Sequence, residues 1–137
     1  METRSTQVKT EIIPYIYYSD VAVALDWLAR AFGFTEEMRM PTPSGGMHGE
    51  MMLDGQRIML GQRPGSRPAS ESERVLPAQG IFVYLADVDA HFERARAAGA
   101  RIDKSPADLP SGRSYAARDP EGHVWYFTTP PMASALM

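Results

Sequence analysis

The stretch IYYSDVAVALDWLARAFGF, starting at Ile16, returns in altered form as VYLADVDAHFERARAAGA, starting at Val83. This echo restricts the fold more than any other feature of the chain. In both copies apolar residues run into an Asp, a helix-like segment follows, and a Gly closes it. Asp20 falls on Asp87, and the pair Asp54-Gly55 falls on Glu121-Gly122, each 67 residues later. Strand, helix and hairpin signals that coincide in the same order indicate a duplicated module.

Within the first copy, Ile12 to Tyr18 is apolar, aromatic and β-branched, which predicts a strand. The carboxylate of Asp20 can accept from the exposed N–H groups of a first helical turn. Val21, Leu25, Leu28 and Phe32 then recur at helical spacing, and Gly33 suits a left-handed stop. A second strand is expected over Phe34–Met40, and PTPSGG reads as a loop. MHGEMML and QRIMLGQ flank Asp54-Gly55, a two-residue hairpin signal.

The second copy follows suit. Ile81–Leu85 is a strand, and Asp87 caps a helix carrying Val88, Phe92, Ala95 and Ala98 up to Gly99. ARIDK opens a strand, SPADLPSG reads as a loop, and two last strands flank DPEG. One such unit covers one face of its sheet with its own helix and leaves the other face for a second unit. The fold class expected is therefore α+β: two tandem βαβββ modules whose sheets form a cup-like partial barrel with helices outside. A single domain over 1–137 would hold module 11–60, module 80–130 and a Pro-, Gly- and Ser-rich linker 61–79, read as a mobile flap.

Bulk properties narrow the function. A length of 137 residues at 44% hydrophobic content fills one compact core. With zero cysteines there are no disulfides and no thiolate ligands or nucleophiles. The net charge of −3 and the lack of a basic stripe argue against a nucleic-acid partner. No apolar run approaches the roughly 18–20 residues of a membrane helix. The polar start METRSTQVKTE has no signal-peptide core, so a cytoplasmic protein without a membrane partner is expected.

The motif DPEGHVWYF and the AGA after the second helix give the chain a likeness from Glu11 to Pro130. It resembles the vicinal oxygen chelate superfamily, which includes glyoxalase I, extradiol dioxygenases and bleomycin-resistance proteins. In metal-dependent members, the resemblance implies, one ligand is a His or Gln seven residues before the helix-capping Asp. Another is a Glu four residues after the hairpin Gly. Those positions are held here by Ile13, Gly80, Met59 and Tyr126. Ile and Gly side chains have no donor atom, a thioether suits soft ions, and one phenol cannot hold a divalent ion. Neither a metal nor another cofactor is therefore expected.

Strand parity indicates what lines the cup instead, since residues two apart share a face. Tyr15 and Tyr17 point in with Ile13, and Phe82 and Tyr84 with Gly80. Across the Asp54-Gly55 hairpin, Glu50 sits opposite Met59 and His48 opposite Gly61, with Arg57 on the same face. A four-residue DPEG loop would put Tyr115 opposite Tyr126 and Arg113 opposite Thr128, both inward; an odd-length loop would turn Arg113 and Tyr115 away. The candidate ligand-binding residues are thus Tyr15, Tyr17, His48, Glu50, Arg57, Met59, Phe82, Tyr84, Arg113, Tyr115 and Tyr126, with Met52 as filler. His91 is expected on the exposed side of its helix without a role. His123 should brace its hairpin, and Trp125 and Phe127 should be core.

An amphipathic wall with a few polar groups suits an organic ligand. The first reading is a metal-free binding protein that sequesters a small aromatic or amphipathic compound, an antibiotic for example. The resemblance adds a homodimer. A second reading is a glyoxalase-like lyase or isomerase, or a dioxygenase, with a displaced metal site; His48 and Glu50 are its catalytic candidates. In a third, the tyrosine face is simply buried between two copies.

Overall fold

The computed structural model describes residues 11–63 and 79–131. The first module comprises β1 (Tyr15–Tyr18), α1 (Val21–Phe32), β2 (Thr35–Pro41), β3 (Met47–Leu53) and β4 (Gln56–Gln62). The second comprises β5 (Gly80–Tyr84), α2 (Val88–Ala97), β6 (Arg101–Leu109), β7 (Gly112–Arg118) and β8 (Val124–Thr129). Their four-stranded sheets run β1-β4-β3-β2 and β5-β8-β7-β6, so the two halves share one topology. In each, the first strand is parallel to the last and the remaining pairs are antiparallel. β4 extends into the expected linker, whose residues 64–78 lie outside the described ones.

The duplicated caps form as their chemistry requires. Asp20 accepts from the Val23 amide and Asp87 from the Ala90 amide. Their φ/ψ values, −132°/94° and −137°/90°, nearly coincide. Asp54 (φ 48°) and Gly55 (φ 83°) are both left-handed, the conformation of a two-residue turn between twisted strands.

β6 departs from expectation. Instead of yielding to a loop after Lys104, it continues through Ser105, Pro106 and Ala107 to Leu109. Pro106 donates no ladder bond, and β6 is the outer strand of its sheet, where that donor is not needed. The register shifts on both sides of Lys104 absorb the irregularity.

Each sheet buries one parity beneath its helix. Ile16 and Tyr18 of β1 are buried while Tyr15 and Tyr17 are exposed. α1 presents Leu25, Leu28 and Phe32, none with accessible surface. The Phe32 ring lies 5.2 Å from Trp125 and 4.8 Å from Phe127, so the first module's helix packs on the second module's last strand. α1 and α2 also touch, and the helix-facing sides of both sheets share one core. Burial of a side chain such as Phe32 contributes about 2 kcal/mol.

The turn between β7 and β8 corrects a register expectation. It spans Asp119 to His123, because Arg118 pairs with Val124. Oδ1 of Asp119 accepts from the amides of Glu121 (3.1 Å) and His123 (3.0 Å), which draws His123 into the turn. With five residues instead of four, Tyr115 pairs with Phe127 and Arg113 with Thr129. Tyr115 and Arg113 are therefore not part of the cup wall. Tyr115 is in the core, 1% exposed, and Arg113 forms ion pairs with Asp89 and Asp108.

Candidate functional site: two aromatic sheet faces and a polar relay

On the face of the first sheet away from α1, residues from three strands converge. The register pairs Tyr15 with Met59, Met59 with Glu50 and Tyr17 with Gly61. Because Gly61 has no side chain, the Tyr15 ring can pass over β4; a Cβ there would stand 2.5 Å from its Cε1. The ring thereby reaches β3, where its hydroxyl is 2.9 Å from Nδ1 of His48. Nε2 of His48 is 3.0 Å from one oxygen of Glu50, and Arg57 donates to the other at 2.9 Å. Arg57 also lies 3.8 Å from Glu11.

The acceptors set the proton positions along this chain. A carboxylate only accepts, so Nε2 of His48 carries hydrogen, and in the neutral ring Nδ1 accepts from the Tyr15 hydroxyl. The His48 hydrogen bond, with the charge His48 carries when protonated and the charge and hydrogen bond of Arg57, holds the Glu50 carboxyl below its ordinary value against the upward push of burial. Burial, then the neighbouring Tyr17 and Glu50, push the Tyr15 phenol up, so it stays protonated. The result is a relay of phenol, imidazole and carboxylate, locked at its far end by a guanidinium.

The matching face of the second sheet has no such relay. Phe82, Tyr84 and Tyr126 stand there, with Phe82 5.2 Å from Tyr84 and 6.4 Å from Tyr126. A Cβ on Gly80 would stand 2.9 Å from the Tyr126 ring. Across both faces, Tyr15, Tyr17, Phe82, Tyr84 and Tyr126 are between 40% and 63% exposed.

A cleft of about 820 Å³ lies between the modules, bounded by Ile12, Pro14, the Asp54 hairpin, β5 and the start of α2. His91 lies in its lining, and it is not the exposed, idle residue expected. Its Nδ1 meets the Tyr115 hydroxyl at 2.7 Å and its Nε2 the carbonyl of Phe32 at 2.9 Å, a bridge from α2 to the end of α1. Arg94 donates to the carbonyls of Arg30 and Ala29 at the same helix end.

Nine of the expected lining residues therefore stand on the sheet faces away from the helices: Tyr15, Tyr17, His48, Glu50, Arg57, Met59, Phe82, Tyr84 and Tyr126. Among the described residues no three His, Asp or Glu side chains are grouped to hold a metal ion. Both nitrogens of His48 are engaged, and Glu50 accepts at both oxygens. No helix among the described residues is long and apolar enough to cross a membrane.

Sequence reasoning missed the joint between the modules. Asp119, 4% exposed, accepts at Oδ2 from Tyr18 (2.6 Å) and from the Trp125 indole (3.1 Å). Glu121 accepts from the amides of Ser19 and Asp20, at 2.7 and 3.0 Å. His123 is 3.1 Å from Asp119 and its ring packs on Tyr18, a brace for the turn as expected. The available signal was an Asp at the head of a turn, able to accept from amides two and four residues on.

The model of the Glyoxalase/Bleomycin resistance protein/Dioxygenase superfamily matches residues 9–127. An uncharacterized protein of Mycobacterium tuberculosis is 30% identical over 135 residues, covering 94% of this chain and 79% of its own length. The crystal structure of TioX from Micromonospora sp. ML1 superposes with a TM-score of 0.69 at 35% identity, over 90% of this chain and all of TioX. TnmS3, an antibiotic binding protein from Streptomyces sp. CB03234, gives a TM-score of 0.68 at 22% identity, over 91% of this chain and 100% of its own.

Proposed function

The chain belongs to the Glyoxalase/Bleomycin resistance protein/Dioxygenase superfamily, and on that premise we propose that it is a metal-free binding protein that sequesters a small aromatic or amphipathic compound. One observation carries this reading: large aromatic side chains on β1, β5 and β8 face away from the core and stay about half exposed. Rings on strands supply wide contact area at low cost in conformational entropy, which suits flat organic ligands. The positions where metal-dependent relatives place their ligands hold Ile13, Gly80, Met59 and Tyr126, whose side chains cannot form a hard-ion site. That TnmS3 binds an antibiotic on the same fold is in keeping with this role.

A homodimer is part of the proposal. Among the described residues no ring on the first sheet's aromatic face touches one on the second's, and both β1 and β5 are edge strands. A second copy would supply the facing wall and cover the aromatic surface.

The test is thermal denaturation with a panel of planar aromatic compounds in buffer containing chelator, followed by calorimetry on any that stabilise. A rise in Tm with an organic compound supports the reading. Stabilisation by divalent cations alone, in chelator-free buffer, would overturn it and restore the displaced-metal enzyme built on His48 and Glu50. A strictly monomeric sedimentation profile at micromolar concentration would remove the dimer.

A further inference from the structure

The polar chain on the first sheet has features a passive wall does not need. Tyr15 crosses a neighbouring strand to reach His48, and this crossing depends on Gly61 being bare. The imidazole is oriented at both nitrogens, by a hydroxyl on one side and a carboxylate on the other. That order of hydroxyl, imidazole and carboxylate is the one by which a proton leaves an oxygen and the resulting imidazolium is stabilised. Here the outermost oxygen is a phenol, 45% exposed, on the face where a ligand would lie.

The hydroxyl and imidazole donors of the relay already have partners. Tyr15 gives its proton to His48, His48 gives its own to Glu50, and Arg57 gives to Glu50. What Tyr15 can still offer a ligand is a lone pair on its oxygen. Glu50, Arg57 and Glu11 together leave one net negative charge behind His48 to hold an imidazolium. Tyr17 is the other titratable neighbour, its ring 5.2 Å from Tyr15, and β2 opposes His48 and Glu50 with the uncharged Met40 and Met38.

We propose that Tyr15 is the acid–base group of the cup and selects ligands bearing an acidic hydroxyl, a phenol or an enol. The inference rests on the reading of this face as a ligand site. The ligand O–H donates to the Tyr15 oxygen. As its proton moves onto that oxygen, the phenolic proton of Tyr15 passes to Nδ1 of His48. The ligand is then an anion hydrogen-bonded to a neutral Tyr15, and the imidazolium is paired with Glu50. One proton has moved one place at each end, and no co-reactant is needed. Charge on the bound oxygen strengthens its hydrogen bond, which gives the preference for acidic hydroxyls over ethers.

The probes are 4-nitrophenol, whose anion absorbs visibly, and 4-nitroanisole, the same ring with its proton replaced by methyl. The buffer pH is set below the midpoint of the free phenol. The wild-type protein should bind 4-nitrophenol roughly tenfold more tightly than 4-nitroanisole, the worth of one charge-assisted hydrogen bond. The bound phenol should show the spectrum of the anion. Tyr15→Phe and His48→Gln should each bring the two affinities together and abolish the anion spectrum. Equal binding of both probes to the wild type, or an anion spectrum that survives in Tyr15→Phe, overturns the relay and leaves the binding protein standing. If neither probe binds at millimolar concentration, the aromatic cup itself falls, and the relay with it.

Discussion

The phenol of Tyr18 donates a 2.6 Å hydrogen bond to the Asp119 carboxylate across 101 residues of sequence. It joins the first strand of one module to the last turn of the other. The Trp125 indole and His123 share the same carboxylate, so four side chains from two modules meet at one buried charge. Tyr18→Phe removes one donor and should destabilise the fold by about 2 kcal/mol. Asp119→Ala leaves Tyr18, Trp125 and two turn amides unpaired, and should cost about 4 kcal/mol. Urea denaturation decides; equal, small losses would show that the joint is not a shared hub.

Acid should loosen this joint. Burial pushes the Asp119 carboxyl up, but His123, Tyr18 and Trp125 together more than offset it and hold it below its ordinary 3.8. A carboxyl lowered in the folded state contributes stability that is present above 3.8 and lost as pH falls through the folded value. The urea midpoint of the wild type should drop across that window, and Asp119→Asn should flatten the drop. Parallel slopes in the two proteins would contradict this.

His91 carries a second acid response, at milder pH. Burial lowers it, the Phe32 carbonyl pulls it partly back up, and the Arg94 charge lowers it further from 6.5. The unfolded chain therefore takes up a proton sooner than the folded one, and stability declines as pH falls below 6.5. Between about pH 7 and about pH 5 the wild-type Tm should fall more steeply than that of His91→Gln. A steeper or equal fall in the variant would refute the assignment.

Gly61→Ala separates geometry from stability. The added Cβ meets an exposed, movable ring, not backbone, so the loss in stability should stay below about 1 kcal/mol. The Tyr15–His48 bond should nonetheless break, and the affinity for 4-nitrophenol should fall towards that for 4-nitroanisole, as it does in Tyr15→Phe. A ligand affinity unchanged from wild type would show that the position of Tyr15 over β4 does not matter.

Exposure predicts opposite outcomes for chemically similar side chains. Tyr84, 63% exposed, can become Ser with less than about 0.5 kcal/mol lost from the folded chain, while ligand binding and self-association both fall. Phe127, with no accessible surface, should cost about 4 kcal/mol when replaced by Ala. Denaturation and sedimentation on the same two variants check this; a large stability loss in Tyr84→Ser would place that ring in the core.

Much of this was open to a reader of the residues because the forces involved are local. Asp20 and Asp87 cap their helices through amides three residues away, and Asp54-Gly55 turns because both residues accept left-handed backbone. Alternation along β1 follows from pleating alone, so Tyr15 and Tyr17 could be placed opposite Ile16 and Tyr18. Even Glu50 against Met59 followed from a hairpin of known length.

What the tertiary structure decided depended on atoms far apart in the chain or on one residue's count in a loop. Asp119 captures two amides, lengthens its turn by one position and so sends Tyr115 into the core and Arg113 to Asp89, because a shift of one residue reverses every side chain on a strand. His91 looked solvent-facing from its own helix; only α1, from the other module, supplies the carbonyl that holds it. No spacing rule shows that a bare Gly61 lets Tyr15 reach His48, since that contact joins three strands at once. Short-range bonding made the two halves and their faces readable, and long-range packing alone determined which polar groups meet.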